Sequence, residues 1–200
     1  DLMPQTRAGR QRFAPLLLNL RRVPELAGIE RRDGCVRVGA LATITQLLDS
    51  ALVRDRADLL WQACSRFASD QVRNAATLGG NLCNASPAGD TLVPLLALDA
   101  RVVLVASEGG ALASRSLPLE QFLLGPSRTA RAPHELLAAV EIPLSGPARR
   151  GVFYKFGTRA GLDISTISIA VSANVEAAAA RDVRIALGAV APTVVRARRA

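Results

Sequence analysis

Histidine is nearly absent from this 200-residue chain: His134 is the only one. A His-based catalytic triad or His-rich metal site therefore lacks its raw material. His134 stands in a polar turn and reads as a solvent-facing loop residue. Lysine is equally scarce, Lys155 being the only one, so the net charge of +8 is carried almost entirely by arginine. The arginines are spread along the chain, with short pairs at Arg21-Arg22, Arg31-Arg32 and Arg149-Arg150. Aromatic residues make up 4% of the chain, which argues against a base-stacking surface and hence against a nucleic-acid partner. The cysteines are Cys35, Cys64 and Cys83, an odd set without a Cys-x-x-Cys pair. They suit buried, reduced thiols in a cytoplasmic protein better than a zinc or iron–sulfur site. No apolar run approaches the roughly 18 residues of a membrane span, and the first residues lack the charged-then-apolar pattern of a signal peptide. The sequence also has no Walker loop, no Gly-x-Gly-x-x-Gly and no nucleophile elbow. These gaps point to a protein that holds a cofactor rather than one that builds a catalyst from side chains.

What is present centres on residues 77–91, Thr-Leu-Gly-Gly-Asn-Leu-Cys-Asn-Ala-Ser-Pro-Ala-Gly-Asp-Thr. Adjacent glycines allow positive φ and close backbone approach to a ligand. Successive N–H groups in such a turn can line an anion-binding concavity. Thr77 and Asn81 flank the pair. Asn84, Ser86, Pro87, Gly89 and Asp90 then form a second turn, and Asp90 and Thr91 are placed to cap an apolar helix over 92–98. The plainer alternative is a surface loop with a β-turn.

Half of the residues are hydrophobic, enough for a real core in one large domain or two small ones. Residues 16–20 read as a buried strand and 23–26 as a short helix start. An Asp33-Gly34 turn leads into a strand over 35–40. Thr43 caps a helix bearing Ile44, Leu47 and Leu48. A further helix is predicted over 56–67, with Trp61 and Phe67 read as core. Strands over 101–106 and 111–117 flank the turn Glu108-Gly109-Gly110, and a short helix begins at Pro118. Strands follow over 136–142 and 151–158, the second containing Lys155. Residues 143–151 read as a connection between subdomains. From 166 to 175 the alternation is clean: Ile167, Ile169, Val171, Ala173 and Val175 share one face. Thr166, Ser168, Ala170, Ser172 and Asn174 share the other, as in a sheet with one face on a core. An antiparallel partner is expected over 183–190. Arg196, Arg198 and Arg199 read as a solvated helix face. Helices mixed with mostly antiparallel strands argue for α+β.

Several of these segments, taken in order, resemble the flavoprotein (medium) subunits of the molybdenum hydroxylases, the carbon monoxide dehydrogenase and xanthine dehydrogenase type. Thr77-Leu-Gly-Gly-Asn81 with Asn84-Ala-Ser-Pro-Ala-Gly-Asp90 is similar to that family's FAD signature. Arg37-Val-Gly-Ala40 with Thr43 resembles its early strand and helix start. Phe67 with Gln71-Val-Arg-Asn74 resembles the segment before the glycines. Val140-Glu-Ile-Pro143 resembles the strand after the hairpin. Lys155-Phe-Gly-Thr-Arg159 with Asp163-Ile-Ser165 resembles the start of the C-terminal subdomain. Together they cover essentially the whole chain.

The resemblance implies an FAD-binding type 2 (PCMH-like) α+β domain with mixed or antiparallel sheets over 1–146. A partial C-terminal α+β subdomain over 147–200 is implied to follow. It implies FAD as the cofactor. Thr77, Leu78, Gly79, Gly80 and Asn81 would cradle the pyrophosphate and Asp90 would bind a sugar-like region. Phe67 and Leu137 would pack on the cofactor, and Lys155 would sit near the flavin ring. No catalytic side chain and no metal ligand is implied. The function implied is electron transfer, from iron–sulfur clusters to a terminal acceptor. The expected partners are a molybdopterin-binding large subunit and a 2Fe-2S small subunit, both separate chains. The family's opening strand, helix and glycine-rich turn would precede Asp1-Leu2. The C-terminal subdomain would stop early, after Ala191-Pro192-Thr193, leaving apolar surface uncovered. Two other readings stay open: a flavin-free structural or interaction subunit, and a basic nucleic-acid-binding domain.

Overall fold

A computed structural model describes residues 2–9, 15–159, 162–176 and 179–198. It is α+β, and every strand pairing is antiparallel. Helix α1 (Leu2–Arg7) is followed by 3-10 turns at Leu20–Arg22 and Pro24–Leu26. Strands β1 (Ile29–Arg32) and β2 (Cys35–Gly39) form a hairpin. Its turn is Asp33-Gly34, both at positive φ (49° and 76°), the geometry a two-residue hairpin requires. Five short helices follow: α2 (Ile44–Asp49), α3 (Ala51–Arg56), α4 (Asp58–Ser65), α5 (Asp70–Ala75) and α6 (Leu78–Asn84). Thr43 and Gln46 close a capping box on α2, so the expected cap is present. Helix α7 is Leu92–Ala97, and all six of its residues are buried.

Strands β3 (Arg101–Glu108) and β4 (Ala111–Pro118) form the second hairpin. Then come α8 (Leu119–Phe122), the small strands β5 (Leu123–Gly125) and β6 (Arg128–Thr129), and β7 (Leu136–Pro143). The five-stranded sheet has the order β1-β2-β7-β3-β4. The remaining strands are β8 (Arg149–Phe156), β9 (Ile167–Glu176), β10 (Ala179–Gly188) and β11 (Val195–Ala197), in a sheet of order β11-β10-β9-β8. Helices α4 and α7 pack against this second sheet, so one hydrophobic core runs from Val36 and Ile142 through Leu59, Leu60 and Leu95 to Phe153 and Ala186. Among the described residues no helix is long and apolar enough to cross a membrane.

Two of the local expectations fail. Residues 16–19 form no strand, and Leu16, Leu17 and Leu18 are exposed; an apolar run makes a strand only where a ladder partner exists. The helix expected over 56–67 is present as α4, Asp58–Ser65; its start is set at Ala57 (φ −140°, ψ 47°), where α3 ends. Arg196 belongs to a strand rather than a helix face and pairs with Asp99, while Arg198 pairs with Glu120. Arg199 lies outside the described residues.

The period of two in β9 holds from Ile167 to Ser172, with Ala173 buried as well, but the core takes the other face. Ser168, Ala170 and Ser172 are buried, while Ile167 and Val175 are exposed. Close helix packing explains the inversion. A Cβ built on Gly151 would lie 2.5 Å from Leu59 Cγ of α4, and one on Gly188 would lie 2.6 Å from Val93 Cγ2 of α7. At these points of closest approach only small residues fit opposite the helices, which sends branched side chains of the sheet outward. Val152, Tyr154 and Phe156 of β8 are 58%, 55% and 54% exposed and stand in register with Val171, Ile169 and Ile167. Together these side chains make an exposed apolar face on the outer side of the sheet. The double substitution Val152→Thr with Phe156→Thr is expected to reduce hydrophobic-dye binding and light scattering without lowering the melting temperature. A melting point several degrees lower would show instead that these side chains are part of the core.

Candidate functional site

The site is built on α6 and the turn after it. Thr77 is the N-cap of α6, in extended conformation, and its Oγ1 accepts the Gly80 N–H at 3.1 Å. The Leu78 N–H donates to Ala42 O and the Gly79 N–H to Ala40 O, both at 2.9 Å. Neither glycine has positive φ. The expected nest of free amides is thus corrected: these N–H groups are already engaged, so they line no anion-binding concavity. The two glycines differ in role. A Cβ on Gly79 would lie 2.7 Å from Ala40 Cβ and 2.8 Å from Ala40 O, so Gly79 is where α6 presses onto the chain leaving β2. A Cβ on Gly80 would meet only Thr77 Oγ1, at 2.9 Å, and Gly80 is otherwise exposed toward a cavity.

Helix α6 ends at Ala85, a left-handed C-cap (φ 47°). The second turn follows, closed by the Gly89 N–H donating to Ser86 O at 2.9 Å. It leads to Asp90, which does not cap α7. Thr91 occupies that cap position and makes no capping bond; its hydroxyl instead donates to Asn81 Oδ1 at 2.6 Å, tying the end of this turn to α6. Asp90 accepts from Lys155 Nζ at 2.7 Å and from Ser165 Oγ at 2.9 Å. The side chains of this pair are only 9% (Lys155) and 10% (Asp90) exposed. Burial pushes the Asp90 carboxyl above the usual carboxylate range, and the Lys155 hydrogen bond and charge, then the Ser165 hydroxyl, pull it back. Lys155 is on β8 and Ser165 just precedes β9, so this buried node joins the second sheet to the turn after α6.

These elements enclose an open cavity of about 1010 Å³. Of the residues expected to bind the cofactor, Phe67, Thr77, Gly80, Asn81 and Asp90 line it. Leu78, Gly79 and Leu137 do not line it: Leu78 and Leu137 are in the core, and Gly79 is buried behind the wall. Lys155 lines a smaller adjoining pocket of about 200 Å³ together with Gly157 and Arg159. The sequence reading assigned no role to Ser69, Arg131, Asp163 and Ile164, which also line the main cavity. Asp163 accepts from the Thr158 hydroxyl and from the N–H groups of Thr158, Arg159 and Ile164, which hold its carboxyl below the usual range and shape the loop. Nothing in the pattern of Arg131 separates it from the other dispersed arginines. His134 is exposed, and no cluster of three His, Cys, Asp or Glu suited to a metal occurs among the described residues.

A large open cavity walled by hydroxyls, amides and one aromatic ring, with no assembled acid–base set, is the form of a cofactor-holding domain. Residues 1–145 match the family model described as the FAD binding domain in molybdopterin dehydrogenase, and the chain belongs to that family. Residues 152–200 match a second model, the CO dehydrogenase flavoprotein C-terminal domain. The chain is 31% identical over 186 residues to a xanthine dehydrogenase FAD-binding subunit of Escherichia coli O157:H7, covering 92% of this chain and 62% of that protein. It is 31% identical over 180 residues to the carbon monoxide dehydrogenase medium chain of Hydrogenophaga pseudoflava, covering 90% and 61%. Among solved structures, quinoline 2-oxidoreductase from Pseudomonas putida 86 superposes with a TM-score of 0.88 at 28% identity, covering 99% of this chain and 67% of that one. The chain therefore spans about three fifths of the length of these two curated relatives.

Proposed function

We propose that the cavity beside α6 binds FAD and that the chain is the flavin-binding part of a molybdopterin-dependent dehydrogenase or hydroxylase. Family membership and the cavity carry this reading together. At about 1010 Å³ the cavity is at the upper end of ordinary ligand sites, as a dinucleotide cofactor demands. Its walls fit such a group. Phe67 offers an apolar surface, and Gly80 and Gly89 keep the wall free of side chains. The Thr77 hydroxyl, the Asn81 and Asn84 amides and the Ser86 hydroxyl supply polar contacts around a pyrophosphate. With the helix amides engaged, these side chains carry the recognition that the nest was expected to supply. Lys155 neutralises Asp90, and the Ser165 hydroxyl, bonded to the same carboxylate, ties the loop that carries Asp163 and Ile164 to the cavity wall. When bound, FAD supplies the electron-carrying chemistry, and the chain's part is to hold and orient it.

On this reading electrons pass from iron–sulfur clusters, by way of this domain, to a terminal acceptor. The partners are a molybdopterin-binding large subunit and a 2Fe-2S small subunit in a cytoplasmic complex. The three unpaired cysteines are in keeping with a reducing compartment. The FAD-binding domain takes residues 1–146 and the C-terminal subdomain 147–200. Titrating the purified chain with FAD tests the reading. Quenching of flavin fluorescence at one site per chain is expected, and a chain that neither co-purifies with flavin nor quenches it would overturn it.

A further inference from the structure

The cavity has an unmet charge requirement. The phosphates of a dinucleotide bring about two negative charges. Two carboxylates, Asp90 and Asp163, already line the space. Asp90 is matched by Lys155, and Asp163 is spent on the loop between β8 and β9. The amides of Leu78, Gly79 and Gly80 are engaged as described. Among the described residues lining the main cavity, the single Lys or Arg is Arg131.

Resting on the assignment of the cavity to FAD, we infer that Arg131 is the cationic partner of the cofactor's pyrophosphate and sets the cavity's preference for an anionic dinucleotide. The residue is held for that task. Its Nη1 donates to Glu135 O at 2.8 Å and to Ala132 O at 3.1 Å. Its remaining guanidinium donors have no partner among the described residues and are available to a ligand. The loop beneath it is stiff. Arg115 grips the Glu135 carboxylate through Nε at 2.5 Å and Nη2 at 2.8 Å, and its Nη2 also donates to Ala130 O at 2.9 Å. The same carboxylate accepts the Ala132 N–H at 2.7 Å. The Ala130 N–H donates to Phe122 O, and the Ser127 N–H to Ala85 O at the end of α6. The loop that presents Arg131 is thereby pinned to the helix that forms the cavity wall. Its charge reaches Cys83, another cavity residue, where it opposes the rise that burial imposes on the thiol. A guanidinium fixed on one nitrogen and open on the others suits phosphate, because little side-chain freedom is lost on binding.

The test compares FAD affinity of the 200-residue chain with that of its Arg131→Gln and Arg131→Lys variants, by fluorescence quenching at low and high salt. Arg131→Gln is expected to weaken FAD binding about tenfold at low salt, the scale of one charge-assisted hydrogen bond. The difference should shrink at high salt, where exposed charges are screened. Arg131→Lys should retain most of the affinity, and melting temperatures should not move. An unchanged FAD affinity in Arg131→Gln would overturn the assignment. So would a loss that is independent of salt and shared by Arg131→Lys, because that marks a structural role for the side chain. If the parent chain binds no FAD at all, the cavity assignment fails and this inference fails with it; if the parent binds and Arg131→Gln matches it, only the role of Arg131 is lost.

Discussion

Gly79→Val is expected to unfold or severely destabilise the protein, whereas Gly80→Val is expected to leave the fold intact and remove the flavin. The two positions are adjacent, yet their surroundings are opposite. A Cβ at Gly79 would sit 2.7–3.0 Å from Ala40 Cβ, O and Cα, all in the packed interior, and a valine adds two methyls beyond it. Only a shift of α6 away from the five-stranded sheet relieves that overlap. It would also break the Gly79 N–H bond to Ala40 O. Overpacking of this kind costs up to about 3 kcal/mol or more, above the gain of under about 1 kcal/mol from replacing a helical glycine. At Gly80 the nearest atom is Thr77 Oγ1. The cost to the fold there is at most the cap, about 1 kcal/mol. The valine would project into the cavity and displace whatever lies there, weakening FAD binding on the order of ten- to a hundredfold. Thermal denaturation and flavin content, measured on both variants, check the pair. Full flavin occupancy in Gly80→Val would show that the phosphates lie elsewhere.

The second large effect concerns the node between Asp90 and Lys155. Asp90→Asn removes the partner of a lysine whose side chain is 9% exposed, and an unmatched buried ammonium is costly. Breaking such a pair from one side typically costs about 3–5 kcal/mol. Lys155→Met alone leaves the Asp90 carboxylate with only the Ser165 hydroxyl. The double variant Asp90→Asn with Lys155→Met leaves no stranded charge, so it is expected to be more stable than the sum of the two losses predicts, with a coupling energy of about 2 kcal/mol. Urea denaturation of the four proteins in this cycle measures that energy. Purely additive losses would mean the pair does not latch the second sheet to the cavity wall. The latch also gives Lys155 a nearer role than cationic support of a flavin ring, since its Nζ is already bonded to Asp90.

Local chemistry made much of the fold readable in advance. The turns at Asp33-Gly34 and Gly109-Gly110 need residues that tolerate positive φ, and the observed angles are 49° and 76°, then 58° and 85°. The capping box at Thr43 and Gln46 is likewise spelled out over four residues. The stretch 77–91 borders the cavity, but its first half is helix α6 rather than the tight turn its paired glycines suggest. Its mechanism was misread, because a pair of glycines looks the same on paper whether it frees backbone amides for a ligand or lets a helix touch a strand. Ala40 decides between the two, and it is 39 positions away from Gly79. Arg131 was invisible for a related reason: it is one arginine among many until its loop is folded against α6.

The sequence by itself determined the α+β class, the positions of most strands and turns, and the family, since each rests on local dihedral preferences or on ordered short motifs. Only the tertiary structure decided which face of β9 meets the core, which of the two glycines packs and which borders the cavity, and which charges are already matched. Those properties belong to pairs of residues far apart in the chain. No periodicity or local propensity encodes the distance at which a helix comes to rest on a sheet.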